Sequence, residues 1–278
     1  MPFQLRIPCV FVLLALLAGC ASAPQKADRL AAEFGFTRLI VPGEGFEHIA
    51  YFSPGTGPSD TLHVYLEGDG TPWLTPTVIS PDPTPRKPLM LRLMRHDTKP
   101  ALLLGRPCYF GLARQLACSA ELWTSARYGP RVLDSLSRAL RNFLQNPPAA
   151  SEATYTRIGL FGYSGGGALA MLLAPRFPET YAVATVAGNL NVTDWTTLHR
   201  YSALAASFNP ADQAPLPRNI AQVHWAGAKD DNLPPSIIQP VVARQHNAIF
   251  RIEENADHFN GWDEAWQWTL SYLNGLAR

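Results

Sequence analysis

The stretch GYSGG, residues 162–166, follows the apolar run RIGLF at residues 157–161 and precedes a small-residue stretch at residues 167–173. The apolar run predicts a buried strand, and the small-residue stretch predicts a helix. A serine flanked by glycines at this junction is typical of a tight, strained strand-to-helix turn, because bulky neighbours would collide with the strand and the helix. Ser164 is therefore the first candidate for a nucleophile.

A serine hydroxyl needs a base to take its proton, and the base needs an acid to orient it. Residues 223–227 predict a strand, and Asp230 stands in the turn that follows it. Residues 248–252 predict another strand, and His258 lies in the loop between that strand and a tryptophan-rich final helix. Asp230 and His258 are therefore the candidate acid and general base.

Two other carboxylates are alternatives for the acid. One is Asp231, which is adjacent to Asp230. The other is Asp194, which lies after the strand predicted at residues 181–187. Among the other histidines, His199 is expected to have a structural role, with substrate contact as its alternative.

Three motifs carry a resemblance to a known family: GYSGG, GAKDDNLP at residues 227–234 and ADHFNG at residues 256–261. Through them the chain resembles the α/β-hydrolase superfamily over nearly all of its length after the leader. More narrowly, VYLEGDGTPW, GRPCYF and GNLNVTDW resemble a group of bacterial lipoprotein-like α/β-hydrolases. The resemblance implies an α/β fold with a mostly parallel central sheet flanked by helices. It also implies a triad of Ser164, His258 and Asp230, an acyl-enzyme intermediate, and no metal or organic cofactor. The family pattern of glycine, two residues, aspartate, two residues, an aliphatic residue and proline fits residues 227–234 with Asp230 as the acid, which favours it over Asp231. Some members of the family supply the acid after the strand that follows the nucleophile helix, which makes Asp194 the fallback.

An oxyanion hole needs two backbone amides. The resemblance implies that Gly165 supplies one, and that Asp69, in the loop after the strand predicted at residues 62–66, supplies the other. Because a carboxylate beside a developing negative charge raises the barrier, the Asp69 side chain is expected to turn outward and support its own loop. In the alternative it faces the site beside a cation, for which Arg106 and Arg127 are the candidates.

Two irregular segments are expected near the site. Residues 191–217 interrupt the alternation of strands and helices, and their apolar spacing suggests one amphipathic helix through Trp195, Leu198, Tyr201, Leu204 and Phe208. They predict a short cap, with an ordinary sheet-covering helix as the alternative. The proline-rich residues 71–88 either close over the substrate or brace the scaffold. Substrate contacts are expected from Tyr163, Gly70 and Trp195.

The remaining pattern predicts the outer parts of an open sheet and its helices. The predicted segments are a short helix or tether at residues 27–34, a hairpin at 37–41 and 48–52, strands at 62–66 and 101–104, and a helix at 131–144.

The first 19 residues indicate the compartment. LAGC at residues 17–20 ends a short apolar run and resembles a bacterial lipobox, which is cleaved before a cysteine that receives lipid. A membrane span would need about 18–20 apolar residues, so a plain secretory signal is the alternative. We predict a lipoprotein signal peptide at 1–19, a tether at 20–36 lipidated at Cys20, and one hydrolase domain at 37–278. Ala21 indicates the outer membrane, facing the periplasm.

Export also affects the expectation for Cys108 and Cys118. They predict a disulfide, with two separate buried thiols as the alternative. The leader holds one of the 23 basic and none of the 22 acidic residues, so the remainder is neutral and nothing favours nucleic acid as a partner. An apolar fraction of 47% can fill the core of a single domain.

Together these features predict an exported serine hydrolase that cleaves a small or medium carboxylic ester and contacts the membrane through its lipid anchor. One alternative is a peptidase or amidase acting on envelope material. The other is a non-catalytic lipoprotein that uses the scaffold for binding. The sequence indicates no particular protein partner.

Overall fold

The computed structural model describes residues 21–148 and 154–276. Eight strands form the main sheet, and a further two-stranded hairpin lies in the loop after the third strand. The strands in chain order are β1 Thr37–Pro42, β2 Glu47–Ser53, β3 Thr61–Leu66, β4 Trp73–Thr75, β5 Val78–Ile79, β6 Ala101–Leu104, β7 Arg157–Tyr163, β8 Thr180–Val186, β9 Ala221–Gly227 and β10 Ala248–Glu253.

The main sheet has the order β1-β2-β6-β3-β7-β8-β9-β10. Strand β2 is antiparallel to both β1 and β6, whereas β6, β3, β7, β8, β9 and β10 pair in parallel. Every residue of β3, β8 and β9 is buried, as expected for inner parallel strands covered on both faces. This is the mostly parallel sheet expected for an α/β-hydrolase, and the predicted strands are confirmed to within a few residues.

Helices connect and cover the strands. They are α1 Ala23–Glu33, α2 Leu89–Met94, α3 Pro130–Gln145, α4 Gly165–Leu173, α5 Val192–Leu198, α6 Pro235–Val242 and α7 Asp263–Leu276, with 3₁₀ turns at Ala120–Trp123, Ala174–Arg176 and Pro210–Asp212. α3 buries an apolar stripe at helical spacing that includes Leu136 and Leu140. α7 packs Trp266 edge-on against Phe161 of β7, with ring centroids 5.3 Å apart. None of the helices in the described residues is long and apolar enough to cross a membrane.

The described part of the predicted tether is folded against the domain. Helix α1 buries Ala27 and Ala31, and its Asp28 accepts hydrogen bonds from Tyr51 Oη at 2.6 Å and Arg38 Nε at 3.0 Å. Packing therefore continues across the boundary predicted at residue 37. Cys20 and the predicted signal peptide lie outside the described residues.

Residues 191–217 contain less helix than their apolar spacing predicts. α5 ends at Leu198, and Arg200 then adopts a left-handed φ of 55°, which stops the helix. The chain beyond it is irregular and is tied back by the Asn209 side chain, whose Oδ1 accepts from the Val192 amide at 2.9 Å. One helix through Phe208 was therefore the wrong prediction, because side-chain contacts hold the second half of the segment in irregular structure.

The predicted disulfide between Cys108 and Cys118 is present, with a Cα–Cα distance of 5.8 Å and a sequence separation of 10. It closes a short loop just after Arg106. The same segment includes two residues with left-handed φ, Cys108 at 72° and Phe110 at 56°. The bridge therefore constrains a strained backbone that leads directly from β6 toward the candidate site.

Replacing both Cys108 and Cys118 by serine is expected to lower the free energy of unfolding by about 2–3 kcal/mol, because the unfolded chain regains the freedom of a loop of roughly ten residues. Urea unfolding of the oxidised protein and of the variant measures this difference. Wild-type protein unfolded under reducing conditions is the matched control and is expected to behave like the variant. Equal midpoints for the oxidised protein and the variant would contradict a stabilising bridge.

Candidate active site

Ser164 lies at the sharp turn between β7 and α4. Its backbone has φ 52° and ψ −122°, a conformation that a non-glycine residue rarely adopts and that costs about 1–3 kcal/mol. The turn is held by the neighbouring strand: the Ser164 amide donates to Val186 O at 3.1 Å, and Ser164 O accepts from the Asn189 amide at 2.8 Å. The side chain is therefore fixed at the carboxyl end of the sheet.

Two glycines permit this turn. A Cβ on Gly162 would lie 2.1 Å from Gly166 O, and a Cβ on Gly166 would lie 2.0 Å from Leu66 O. Backbone atoms at such distances cannot move aside cheaply, so both positions require glycine. The same contacts bring the start of α4 against the end of β3.

Asp230 and His258 come together from the loops that follow β9 and β10. His258 Nδ1 lies 2.8 Å from Asp230 Oδ2, and the Asp230 side chain is fully buried. The other oxygen, Oδ1, accepts from the amides of Asn232 at 2.9 Å and Leu233 at 2.8 Å. Because Asp230 accepts at Nδ1, the proton lies on Nδ1 and Nε2 carries the lone pair that a general base requires.

The alternative acids lie elsewhere. Asp231 is exposed. Asp194 interacts locally with Asn191, whose Nδ2 donates to it at 2.7 Å. Of the three carboxylates considered from the sequence, the structure places only Asp230 against His258.

The lone pair of His258 is already engaged. Asn232 Nδ2 donates to His258 Nε2 at 2.9 Å, and Asn232 Oδ1 accepts from Trp195 Nε1 at 3.2 Å. His199 Nε2 donates to the backbone oxygen of the same asparagine at 2.8 Å. Sequence reasoning missed Asn232, although it lies two residues after Asp230 in GAKDDNLP. Its amide occupies the position on Nε2 that the Ser164 hydroxyl would need.

The Asp69 carboxylate faces inward, so the expectation that it turns outward was wrong. Oδ1 is 2.7 Å from Arg106 Nη1 in an ion pair that lacks hydrogen-bond alignment. Oδ2 accepts from Arg127 Nη1 at 2.9 Å and from Tyr128 Oη at 2.7 Å. Arg106 and Arg127, the two cations considered in the alternative, both pair with Asp69. A carboxylate that is largely removed from water needs such partners to offset its lost hydration.

These contacts decide the charge on Asp69. Burial alone would raise its pKa, but Arg127, Arg106 and the Tyr128 hydroxyl outweigh burial and hold the pKa at about 2. Asp69 is therefore ionised at neutral pH and stands between two buried guanidinium groups. Asp69, Arg106 and Arg127 together carry one excess positive charge. They lie beside the start of α4, because a Cβ on Gly165 would be 2.0 Å from Asp69 Oδ1.

A second buried acid, Glu67, begins the same loop and was not predicted. Its Oε1 accepts from the Leu91 amide at 2.9 Å, whereas Oε2 is buried without a partner in the described residues. Burial raises the pKa of Glu67 from its ordinary 4.5 to about 7, because nearby amides and Arg92 only partly offset the loss of water. The sequence signal that could have identified Glu67 is an acidic residue directly after a strand, at the carboxyl edge of the sheet.

The residues expected to contact substrate occupy different environments. The Tyr163 ring is 5.1 Å from the His258 ring, and its buried hydroxyl has no partner in the described chain. Trp195 packs over Arg127 at 5.9 Å. Gly70 has a φ of 70° and approaches Pro83 O so closely that a Cβ would lie 2.0 Å from it, so it shapes the loop.

The proline-rich segment is braced at its base and open at its tip. The Phe110 amide donates to Thr84 Oγ1 at 2.7 Å, and Trp123 Nε1 donates to Ser80 O at 3.1 Å. Thr71 and Pro83 are joined by a backbone hydrogen bond of 2.9 Å. The apolar side chains of β4 and β5 are exposed, with Trp73 at 42% and Leu74 at 49%.

Two further histidines, His63 and His96, each lie beside an acid. His63 Nδ1 is 2.6 Å from Asp97 Oδ2 and its Nε2 is 2.7 Å from Tyr181 Oη, all inside the core. His96 Nε2 is 3.0 Å from Asp263 Oδ1 near the surface. Within residues 21–148 and 154–276 no cluster of three or more His, Cys, Asp or Glu side chains could hold a metal ion.

Comparison with solved structures supports this architecture. An esterase of Pyrococcus furiosus aligns with a TM-score of 0.61 at 12% identity over 88% of this chain and 91% of its own. An esterase of Pyrobaculum calidifontis aligns with a TM-score of 0.57 at 12% identity over 97% and 99%. An acylaminoacyl peptidase of Pyrococcus horikoshii aligns with a TM-score of 0.54 at 13% identity over 87% of this chain and 41% of its own.

No family model matches the chain, and no curated protein gives a significant match in sequence. At identities this low the structural likeness shows the fold alone. The chain has the α/β-hydrolase fold.

The raised pKa of Glu67 has a consequence for stability. A carboxyl group whose pKa is higher in the folded than in the unfolded protein stabilises the folded state at pH values below the pKa of the unfolded protein. This stabilisation is lost as the pH rises through the pKa of the folded protein. Glu67 is therefore expected to lower the unfolding free energy of wild type, relative to that of Glu67→Gln, by roughly 3 kcal/mol between pH of about 4.5 and about 7. Denaturant unfolding across that range measures it.

The matched control is Glu44→Gln, which changes an exposed glutamate. It is expected to follow the wild-type pH dependence. A constant difference in unfolding free energy between wild type and Glu67→Gln across the range would refute the assignment of the titration to Glu67.

Proposed function

We propose that this protein is an exported serine hydrolase that cleaves a small or medium carboxylic ester through an acyl-enzyme intermediate. The observation that carries the proposal is the buried Asp230–His258 pair at the same edge of the sheet as the strained Ser164 turn. Structural neighbours that are esterases support hydrolysis of an acyl bond.

In the proposed reaction Ser164 Oγ attacks the substrate carbonyl while His258 Nε2 takes the hydroxyl proton. Asp230 stabilises the imidazolium that forms, and the amides of Gly165 and Asp69 hold the oxyanion. His258 then returns the proton to the leaving alcohol as the carbon–oxygen bond breaks. Water, deprotonated by the same nitrogen, releases the acid and regenerates Ser164.

The charge around Asp69 supports its amide in this role. An ionised carboxylate alone would oppose the developing oxyanion, but Arg106 and Arg127 leave the group with a net positive charge. Buried charges act strongly because little water screens them. The pair of arginines therefore makes an acidic residue compatible with an oxyanion loop.

We place the enzyme in the bacterial envelope, anchored by lipid on Cys20 to the outer membrane and facing the periplasm. The lipobox at residues 17–20 supports this location, and the disulfide is consistent with an oxidising compartment. A peptidase or amidase is the second candidate, because an acylaminoacyl peptidase is among the structural neighbours.

A fluorophosphonate probe tests the nucleophile on the chain from residue 21 to 278, which contains every described element. Wild type is expected to label covalently, Ser164→Ala not at all, and Asp230→Asn slower by about 10⁴-fold, because it disturbs the orientation and tautomer of His258. In-gel fluorescence after timed quenching measures the rates.

Ser236→Ala, which alters an exposed serine in α6, is the matched control and is expected to label like wild type. A folded wild type that does not label would overturn the proposal and favour a binding role for the scaffold. Turnover of p-nitrophenyl esters against the matching anilides then separates an esterase from an amidase.

Asn232 is expected to restrain the proposed base. Its hydrogen bond to Nε2 must break before Ser164 can transfer a proton, and one neutral hydrogen bond contributes about 1 kcal/mol net. Asn232→Ala is therefore expected to label roughly fivefold faster than wild type. Labelling rates at saturating probe measure the effect.

Asp231→Ala, in the same loop but exposed, is the control and is expected to leave the rate unchanged. A slower rate in Asn232→Ala would show instead that this asparagine positions His258 productively.

A further inference from the structure

A basic groove lies between helix α1 and the segment before α2. It has a volume of about 440 Å³, and its charged lining comprises Lys26, Arg29, Arg86, Lys87, Arg92 and Glu33. Five cations against one carboxylate give the groove a formal charge of +4. Because the chain beyond the predicted leader is neutral overall, this concentration is a local feature and does not follow from composition.

The groove is built by regular structure on one side. Lys26, Arg29, Leu30 and Glu33 recur at the spacing of one helical face, so α1 directs them together toward the opposite wall. That wall is formed by Arg86 and Lys87 with the first turn of α2. Since α1 also buries Ala27 and Ala31 against the domain, the basic face is held at a fixed position.

The cations are poorly neutralised. In the described chain the side chains of Lys26, Arg29, Arg86 and Lys87 make no hydrogen bond or salt bridge, and all four are exposed. Arg92 donates only a long bond of 3.4 Å to Phe259 O, and its Nε is buried without a partner in the described residues. Several like charges around one groove repel each other, and a bound anion relieves that repulsion.

The groove is also close to the predicted anchor. Cys20 precedes Ala23 by three positions in the sequence, and Lys26 follows Ala23 by three positions within helix α1. Chain geometry therefore limits the distance between Cys20 and Lys26 to roughly 15 Å. A lipid on Cys20 would hold the groove within about two Debye lengths of the headgroups.

We propose that this groove docks on anionic phospholipid headgroups, whose phosphates lie between the side chains of α1 and of Arg86 and Lys87. The orientation rests in part on the proposed lipid anchor, but the charge complementarity does not. Asn260, two residues after His258, also lines the groove. Docking therefore brings the loop of the proposed base close to the membrane surface, with exposed Phe259 beside it.

The test uses the unlipidated chain from residue 21 to 278, so that binding reports the groove and not the anchor. Vesicles of phosphatidylcholine alone are compared with vesicles in which about a third of the lipid is phosphatidylglycerol. Cosedimentation is expected to show binding to the anionic vesicles only, weakening as salt is raised. Changing Lys26, Arg29, Arg86 and Lys87 together to Gln is expected to weaken binding at least about tenfold.

The matched control changes Arg114, Arg138, Arg200 and Arg218 together to Gln. These exposed side chains lie outside the groove and make no ion pair in the described chain, so net charge falls equally. The control is expected to bind within about twofold of wild type. Circular dichroism and thermal unfolding establish that both variants are folded.

Three results would overturn the proposal: equal binding to both kinds of vesicle, equal loss in the groove variant and its control, or complete competition by free phosphate. The last would identify a site for small phosphates. Fluorophosphonate labelling of the same samples keeps the two proposals separate, because a chain that binds anionic vesicles without labelling refutes only the hydrolase.

Discussion

The close approach of α4 to β3 is the constraint on which the site depends. Gly166 contacts the carbonyl of Leu66 so closely that no side chain fits between them, and Gly162 meets Gly166 in the same way. These contacts force Ser164 into its left-handed turn. They also place the loop that begins at Glu67 directly against the turn of the candidate nucleophile.

Burial of charge is the second requirement of this arrangement. Removing Asp69, Arg106 and Arg127 from water is costly, and their mutual attraction offsets that cost only because the contacts are short and Tyr128 adds a hydrogen bond. Arg106 follows β6, and its neighbour Cys108 is fixed by the disulfide. The covalent bridge therefore helps to hold a cation whose position determines the electrostatics of the loop.

The sequence predicted the parts of the protein that are specified locally. Apolar runs identified the strands, and the GYSGG stretch identified the turn at Ser164, because both patterns are read within a few residues. The orientation of Asp69 was missed because its partners, Arg106 and Arg127, are brought to it only by the fold. The irregular structure after Leu198 was missed for the same reason, because the spacing of apolar residues carries no information about the hydrogen bond between Asn209 and Val192.

Helix α5 connects the two halves of the candidate site. Trp195 lies over the guanidinium of Arg127, which pairs with Asp69, and the same indole donates to Asn232, which engages His258. One aromatic side chain thus contacts both the cation paired with Asp69 and the asparagine that engages the proposed base. A displacement of α5 would alter both sets of contacts together, because Trp195 cannot move without changing its distance to each. Helix α5 therefore links the packing around Asp69 to the contacts of His258.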